Sequence, residues 1–239
     1  MLSIITISHA RPKCFARLEH MLARRTYRKA WQWIVVCSGT KHLYSFTQPN
    51  QKVIFRENDY SLKVGPMVHP ICQQYLAAIP HVEGDSAIIM EDDDLFMPEF
   101  LTYIDSHLGK DGWDMVGLAP NYYYNFSSNK FILLPNYKHC SLSGMGFRTR
   151  LVLSLFQEIC EEGNPFIDQQ LWLRYGGSKA LLPNRRPGPE CLPLVVGGKG
   201  LEAPGVGLGH NLSGPGWLDD VDGEMKEAWL GDLLPLYAN

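Results

Sequence analysis

Two hydrophobic rhythms alternate along the first hundred positions. Leu2-Ser3-Ile4-Ile5-Thr6-Ile7 is a β-branched run that reads as a buried strand, and behind Pro12 the residues Phe15, Leu18 and Leu22 recur at helical spacing. Gln32-Trp33-Ile34-Val35-Val36-Cys37 reads as a second strand, stopped by Ser38-Gly39, and Lys52-Val53-Ile54-Phe55 as a short third. Met67, Ile71, Gln74-Tyr75 and Ala78 then mark one side of a helix opening at Pro66, and Ser86 to Met90 a fourth strand. The order β-α-β-β-α-β predicts an α/β fold, a mainly parallel sheet flanked by helices, with ligands gathering at the carboxyl ends of its strands.

The pattern is less regular further on. Pro98 to Leu108 reads as a helix and Trp113-Asp114-Met115-Val116-Gly117-Leu118 as a strand, while Tyr122-Tyr123-Tyr124-Asn125-Phe126 and Phe131-Ile132-Leu133-Leu134 read as a hairpin or loop pair. Ser141 to Phe147 is a small-residue turn ahead of a helix from Arg150 to Cys160, and Asp168 starts a further amphipathic helix ending near Arg174. Eight glycines between Gly197 and Gly216 predict a mobile loop near a ligand rather than regular structure. Neither Gly197-Gly198-Lys199-Gly200 nor Gly205-Val206-Gly207-Leu208-Gly209 completes a phosphate-binding or dinucleotide-binding signature. With no repeat or linker, the chain reads as one domain, residues 1–196 carrying the sheet and 197–239 a glycine-rich loop and C-terminal helical tail of the same domain.

Composition narrows the class. At 239 residues and 45% hydrophobic content the chain can bury a large core, and no apolar run is long enough to cross a bilayer or serve as a signal peptide, so a cytoplasmic location is expected. Six scattered cysteines without CxxC or CxxH spacing indicate neither a zinc site nor a disulfide framework. The net charge of −3 conceals an asymmetry: residues 1–63 hold eleven Lys/Arg against Glu19, Glu57 and Asp59. Such a basic third is either a solvated helix face or a surface for phosphates, anionic lipid or nucleic acid.

The chemistry concentrates where Ala87-Ile88-Ile89-Met90 ends in Glu91-Asp92-Asp93-Asp94, ahead of Leu95-Phe96-Met97-Pro98. Four adjacent carboxylates at the mouth of a buried strand are costly unless a cation sits among them, and hard oxygen ligands suit Mg²⁺ or Mn²⁺. The alternative is an acidic turn that caps the helix opening near Pro98.

Ile5-Thr6-Ile7-Ser8-His9-Ala10-Arg11-Pro12, Trp33 to Gly39, Met90 to Leu101 and Asp168 to Arg174 occur in the order found in family-two-like glycosyltransferases of the GT-A fold, and residues 1–176 resemble that family. The resemblance implies a metal-dependent transfer from a nucleotide sugar, UDP-type by preference, to an acceptor hydroxyl with inversion. The acidic cluster stands at the DXD motif: alignment on Pro98 puts Asp93 at the metal, Glu91 at the first position of the motif, and Asp92 and Asp94 in a literal DXD. Asp168 matches the family's catalytic base, although Ile167 replaces the usual Glu and an Asp there is also a plausible helix cap. Ser8, Arg11, Ser38, Asp59, Lys63 and Asp92 are the expected donor contacts, with Cys37 and Ser38 in place of the family's acidic pair. Ser143, Gly144, Met145 and Gly146 resemble the acceptor and sugar loop, and His210 a C-terminal metal ligand.

Two other classes fit the same residues. A non-catalytic module could hold Ca²⁺ and a glycan, and a sugar nucleotidyltransferase also uses acidic metal ligands on an α/β sheet, though Ser8-His9-Ala10-Arg11-Pro12 lacks its glycine-rich loop. The acceptor is left open among a glycan, a lipid-linked sugar and a modified nucleic acid, with the basic N-terminal third available for an anionic surface.

Overall fold

The computed structural model describes residues 1–39, 45–48, 50–56, 69–109, 112–186, 192–201 and 216–237. Strands β1 (Leu2–His9), β2 (Trp31–Ser38), β3 (Gln51–Arg56) and β4 (Ser86–Ile89) build one half of a central sheet, with helices α1 (Pro12–Ala23) and α2 (Pro70–Ala78) between them. The short β5 (Leu95–Phe96) and helix α3 (Phe100–Gly109) follow, then β6 (Met115–Ala119), the hairpin β7 (Asn121–Asn125) and β8 (Lys130–Leu134), and β9 (Met145–Arg148). Helices α4 (Thr149–Glu161) and α5 (Ile167–Arg174), strands β10 (Lys179–Pro183), β11 (Val195–Lys199) and β12 (Leu218–Asp219), and helix α6 (Glu224–Leu230) complete the chain.

The central sheet has seven strands in the order β10-β6-β9-β4-β1-β2-β3. All neighbours are parallel except β9, which runs antiparallel to both β4 and β6. Both faces are covered, so successive residues of one strand enter opposite cores. Leu2 and Ile4 of β1 pack with Phe15, Leu18 and Leu22 of α1 on one face, whereas Ile5 and Ile7 pack with Tyr75 of α2 and Phe156 of α4 on the other. Trp33 of β2 stacks on Phe15 with ring centroids 5.3 Å apart. A second sheet, ordered β12-β8-β7-β11-β5, stands beside the first. It is closed by α6, whose Trp229 packs edge-on against Tyr122 and Phe131.

Three expectations are revised. Ser141 to Phe147 is not a turn alone: after a single 3-10 turn at Leu142–Gly144 the chain enters β9, and Gly146 lets that strand lie against Ile104 and Ile88, where a Cβ would collide. The glycine-rich segment does not begin as a loop, because Gly197 to Lys199 belong to β11, paired in parallel with β7. Helix α2 opens at Pro70, with His69 Nδ1 accepting from the Ile71 amide, rather than at Pro66, which lies outside the described residues.

Part of the basic run of the N-terminal third is engaged in contacts within the chain, while Lys13, Arg24, Arg28 and Lys29 are exposed. Arg17 donates to the Leu236 carbonyl at 2.8 Å and covers Tyr237, Arg25 stacks on Trp31, and Lys29 pairs with Asp105 at 2.7 Å. Among the described residues no helix is long and apolar enough to cross a membrane.

Candidate active site

The parallel strands β1, β2 and β4 end at one edge, and the acidic turn leaves β4 there. In the register of the sheet His9 is opposite Ser38, and Met90 donates its amide to the Ile5 carbonyl. The turn therefore starts in the middle of the sheet, between the elements that could hold a ligand.

Each carboxylate has a different neighbourhood. Asp92 is fully buried; its Oδ2 accepts a 2.5 Å hydrogen bond from Ser8, and its Oδ1 lies 2.5 Å from Arg11. The same guanidinium reaches Asp93 Oδ2 at 3.0 Å, so Arg11 clamps two consecutive acids. Arg11 can do so because Ala10 adopts a left-handed φ of 51°, unusual for a residue with a Cβ. Asp94 accepts from the Gly198 amide at 2.9 Å through Oδ1, and its Oδ2 meets the Ser143 hydroxyl, which is also 2.6 Å from Glu91 Oε2.

A hydroxyl carries one hydrogen, so Ser143 cannot donate to both acids at once. A proton on either Glu91 or Asp94 would let both contacts be hydrogen bonds. The electrostatics agree: burial raises the Glu91 carboxyl with Asp93 adding to it, and burial pushes Asp94 up to about 7 against the pull of Lys199. Asp92 is likewise pushed up to about 7, first by burial, with Arg11 opposing. Arg11 stays charged, because Asp92 and Asp93 outweigh the burial that would lower its pKa.

Lys199 is the site residue that the sequence did not reveal. Its ammonium is nearly buried, 3.8 Å from Asp93 and 3.9 Å from Asp94, and 5.6 Å above the ring of Tyr123. Its signal was present as two glycines and a lysine closing the apolar run Leu194-Val195-Val196, which carries meaning only once that run is recognised as a strand.

Asp168 is the second residue of α5, and Phe166 rather than Asp168 takes the cap position. Its carboxylate, mostly buried, lies 3.9 Å from His139 Nδ1. Burial raises its pKa, opposed by backbone amides and His139. Tyr123, whose ring lies under Lys199, has its hydroxyl pKa raised by burial, with Lys199 opposing and the charges of Asp94, Glu91 and Asp168 adding to it.

The other expected site residues divide. Ser8 and Arg11 hold the acids. Ser38 sits fully buried behind them, bonded to His9 at 2.8 Å and to Gln74 at 2.6 Å. Ser143 borders the acidic cluster and Gly144 the small hollow beside Asn121 and Gly197, whereas Met145 is in the core and Gly146 is a packing position within β9. Asp59, Lys63 and His210 lie outside the described residues.

Among the described residues no three or more His, Cys, Asp or Glu side chains are grouped to enclose a metal by themselves. The oxygen donors nevertheless suit a hard cation of the Mg²⁺ or Mn²⁺ kind, which commonly uses one or two protein carboxylates with substrate phosphates and water. Asp93, held by Arg11 through Oδ2, and Asp94 beside it are the carboxylates placed for that role, whereas Asp92 is tied by both oxygens to Ser8 and Arg11.

The single antiparallel strand inside a parallel sheet and the flanking second sheet are the arrangement of the GT-A fold. Solved structures sharing it include S. aureus TarS residues 1–349 in complex with UDP, at a TM-score of 0.57 and 14% identity over 82% of this chain and 60% of that one. The same TarS fragment in complex with UDP-GlcNAc matches with a TM-score of 0.58 and 14% identity, over 83% and 58% of the two chains. The mannosyltransferase PcManGT from Pyrobaculum calidifontis, in complex with GDP-Man and Mn²⁺, matches at a TM-score of 0.54 and 12% identity over 77% and 55%. The chain thus spans 60% or less of the length of these proteins. No protein-family model matches the sequence, and no curated protein matches it.

Proposed function

We propose that this chain transfers a sugar from a nucleotide-sugar donor to an acceptor hydroxyl, inverting the anomeric centre in one displacement. The observation that carries the reading is a cation-balanced acidic turn at the end of β4 in a fold that also holds a mostly buried second carboxylate, Asp168, whose pKa burial raises. A carboxylate whose pKa is raised by burial is a stronger base when ionised, as proton abstraction from an alcohol requires. Asp168 takes the acceptor proton as the acceptor oxygen forms its bond to the anomeric carbon. The bond from that carbon to the diphosphate oxygen breaks, its electron pair leaving with the nucleoside diphosphate. Arg11 holds positive charge where the leaving diphosphate gains negative charge. Asp93, with Asp94 beside it, would hold a Mn²⁺ or Mg²⁺ ion, which supplies further neutralisation of the diphosphate.

UDP-type donors are the first to test, given the nucleotides in the complexes of similar fold. Five buried free thiols, Cys14, Cys37, Cys72, Cys140 and Cys160, suit a reducing compartment such as the cytoplasm. The acceptor is open among a glycan, a lipid-linked sugar and a modified nucleic acid, and the exposed Lys13, Arg24, Arg28 and Lys29 leave a basic surface for an anionic one.

The test is turnover of a panel of UDP- and GDP-sugars with Mn²⁺, Mg²⁺ or EDTA. Release of nucleoside diphosphate should require the divalent ion, and Asp93→Ala and Asp168→Ala should each abolish it in folded protein. Full activity in both variants would sink the assignment. Calcium binding without nucleotide binding would instead favour a non-catalytic module.

A further inference from the structure

We infer that Lys199 binds the donor's diphosphate, and that the Gly197-Gly198 pair exists to press its strand against the acidic turn. The inference rests on the transferase reading and assigns a task to a residue which that reading alone does not require. The geometry comes first. A Cβ at Gly198 would overlap the carbonyl oxygen of Asp93, and one at Gly197 would enter the ring of Tyr123. Only glycines allow β11 this approach, and the Gly198 amide uses it to bond Asp94 at 2.9 Å. The next side chain along the strand is Lys199.

Its surroundings then argue for a ligand. A lysine buried this deeply has lost most of its hydration and needs compensation. Asp93 and Asp94 supply charge, but at 3.8 and 3.9 Å they are beyond hydrogen-bond distance. Turning toward an incoming phosphate oxygen therefore breaks no hydrogen bond to these acids, while the ring of Tyr123 supports the ammonium from below. Arg11, by contrast, is held at 2.5 and 3.0 Å by Asp92 and Asp93, so it is tied to the turn and has less freedom to follow a ligand. Lys199 also occupies space beside the two carboxylates best suited to a divalent ion. It opposes cation binding while the site holds no diphosphate, and stops opposing it once phosphate oxygens draw it away.

This makes a signature with two signs. Lys199→Met should weaken UDP or GDP binding in EDTA about ten- to hundredfold, the range for a lost charge-assisted contact, and leave UMP or GMP binding within about twofold. The same variant, without nucleotide, should bind Mn²⁺ more tightly than wild type, and Lys199→Arg should restore most diphosphate binding. Titration calorimetry on the full chain reads all of these, with Lys199→Gln as the second variant should the methionine variant fail to fold. A general packing defect would weaken both ligands together. Wild-type affinity for the diphosphate in the variants, or Mn²⁺ binding weakened alongside it, overturns the inference. Wild-type protein that binds neither UDP nor GDP, with or without Mn²⁺, overturns the transferase reading and the inference with it.

Discussion

The Ser8 hydroxyl donates a 2.5 Å hydrogen bond to Asp92, joining the ends of β1 and β4 through two side chains that are almost wholly buried. Both side chains are 1% exposed, so bulk solvent does not reach them to replace that bond. Ser8→Ala should therefore cost about 1.5–3 kcal/mol, the range for a lost hydrogen bond to a charged group, with Arg11 retaining the carboxylate. Urea unfolding of the variant measures it; a change below about 0.5 kcal/mol would mean that Arg11 alone satisfies Asp92.

Asp168 sets the acid limb of the activity. Its pKa is raised above the ordinary 3.8, mainly by burial, and only the ionised form accepts a proton. Turnover should rise with pH through that raised value and then level off. Asp168→Asn should be inactive at every pH, while His139→Ala, which removes an opposing charge when His139 is protonated, should move the limb to higher pH. A limb unmoved in His139→Ala would show that the 3.9 Å contact has no electrostatic effect.

Gly198→Ala probes the meeting of the two sheets. The added Cβ meets backbone, the carbonyl of Asp93, which cannot rotate away as a side chain could. Overpacking of this kind costs about 1–3 kcal/mol, and the strand must also surrender the amide bond to Asp94. A lower melting temperature combined with weaker Mn²⁺ and nucleotide binding is expected. Gly112→Ala, at a φ of +76° and with open space around the glycine, is the control for backbone strain alone.

How much of this was legible in the sequence depended on whether a residue's role was local. The strands β1, β2 and β4 are continuous apolar runs, and both-face burial in a parallel sheet demands such runs, so their period and their acidic stop were readable. β9 was not: Met145-Gly146-Phe147-Arg148 is short, holds a glycine and has no β-branched residue, and it becomes a strand only because β4 and β6 leave a gap that it fills. The same holds for β11, where glycines that locally favour a loop are required by the close approach of Tyr123 and Asp93. Propensity loses to tertiary packing at both places. Asp93 and Asp168 stand out in the sequence as candidates through the order of motifs, but Lys199, with no motif of its own, becomes a candidate only through the sheet pairing that brings it to Asp93.

The Ser143 bridge between Glu91 and Asp94 makes stability depend on pH in an unusual sense. Asp94 titrates near 3.8 when unfolded and is pushed up to about 7 in the fold, so between those values the folded state binds more protons than the unfolded one. Stability from this group is then full below about pH 4 and is lost as pH rises toward 7, the reverse of an ordinary salt-bridged aspartate. Asn copies the protonated acid, since its carbonyl can accept from Gly198 and its amide can donate to Ser143. Asp94→Asn should match wild type near pH 4 and exceed it at pH 8, flattening the slope of urea-unfolding free energy between them. Mn²⁺ should recover part of the wild-type loss at pH 8 and do less for the variant, because a divalent ion stabilises the ionised carboxylate and not the amide. If instead wild type gains stability over Asp94→Asn as the pH rises, then Asp94 is ionised in the folded protein and accepts from Ser143, and Glu91 is the acid that carries the proton.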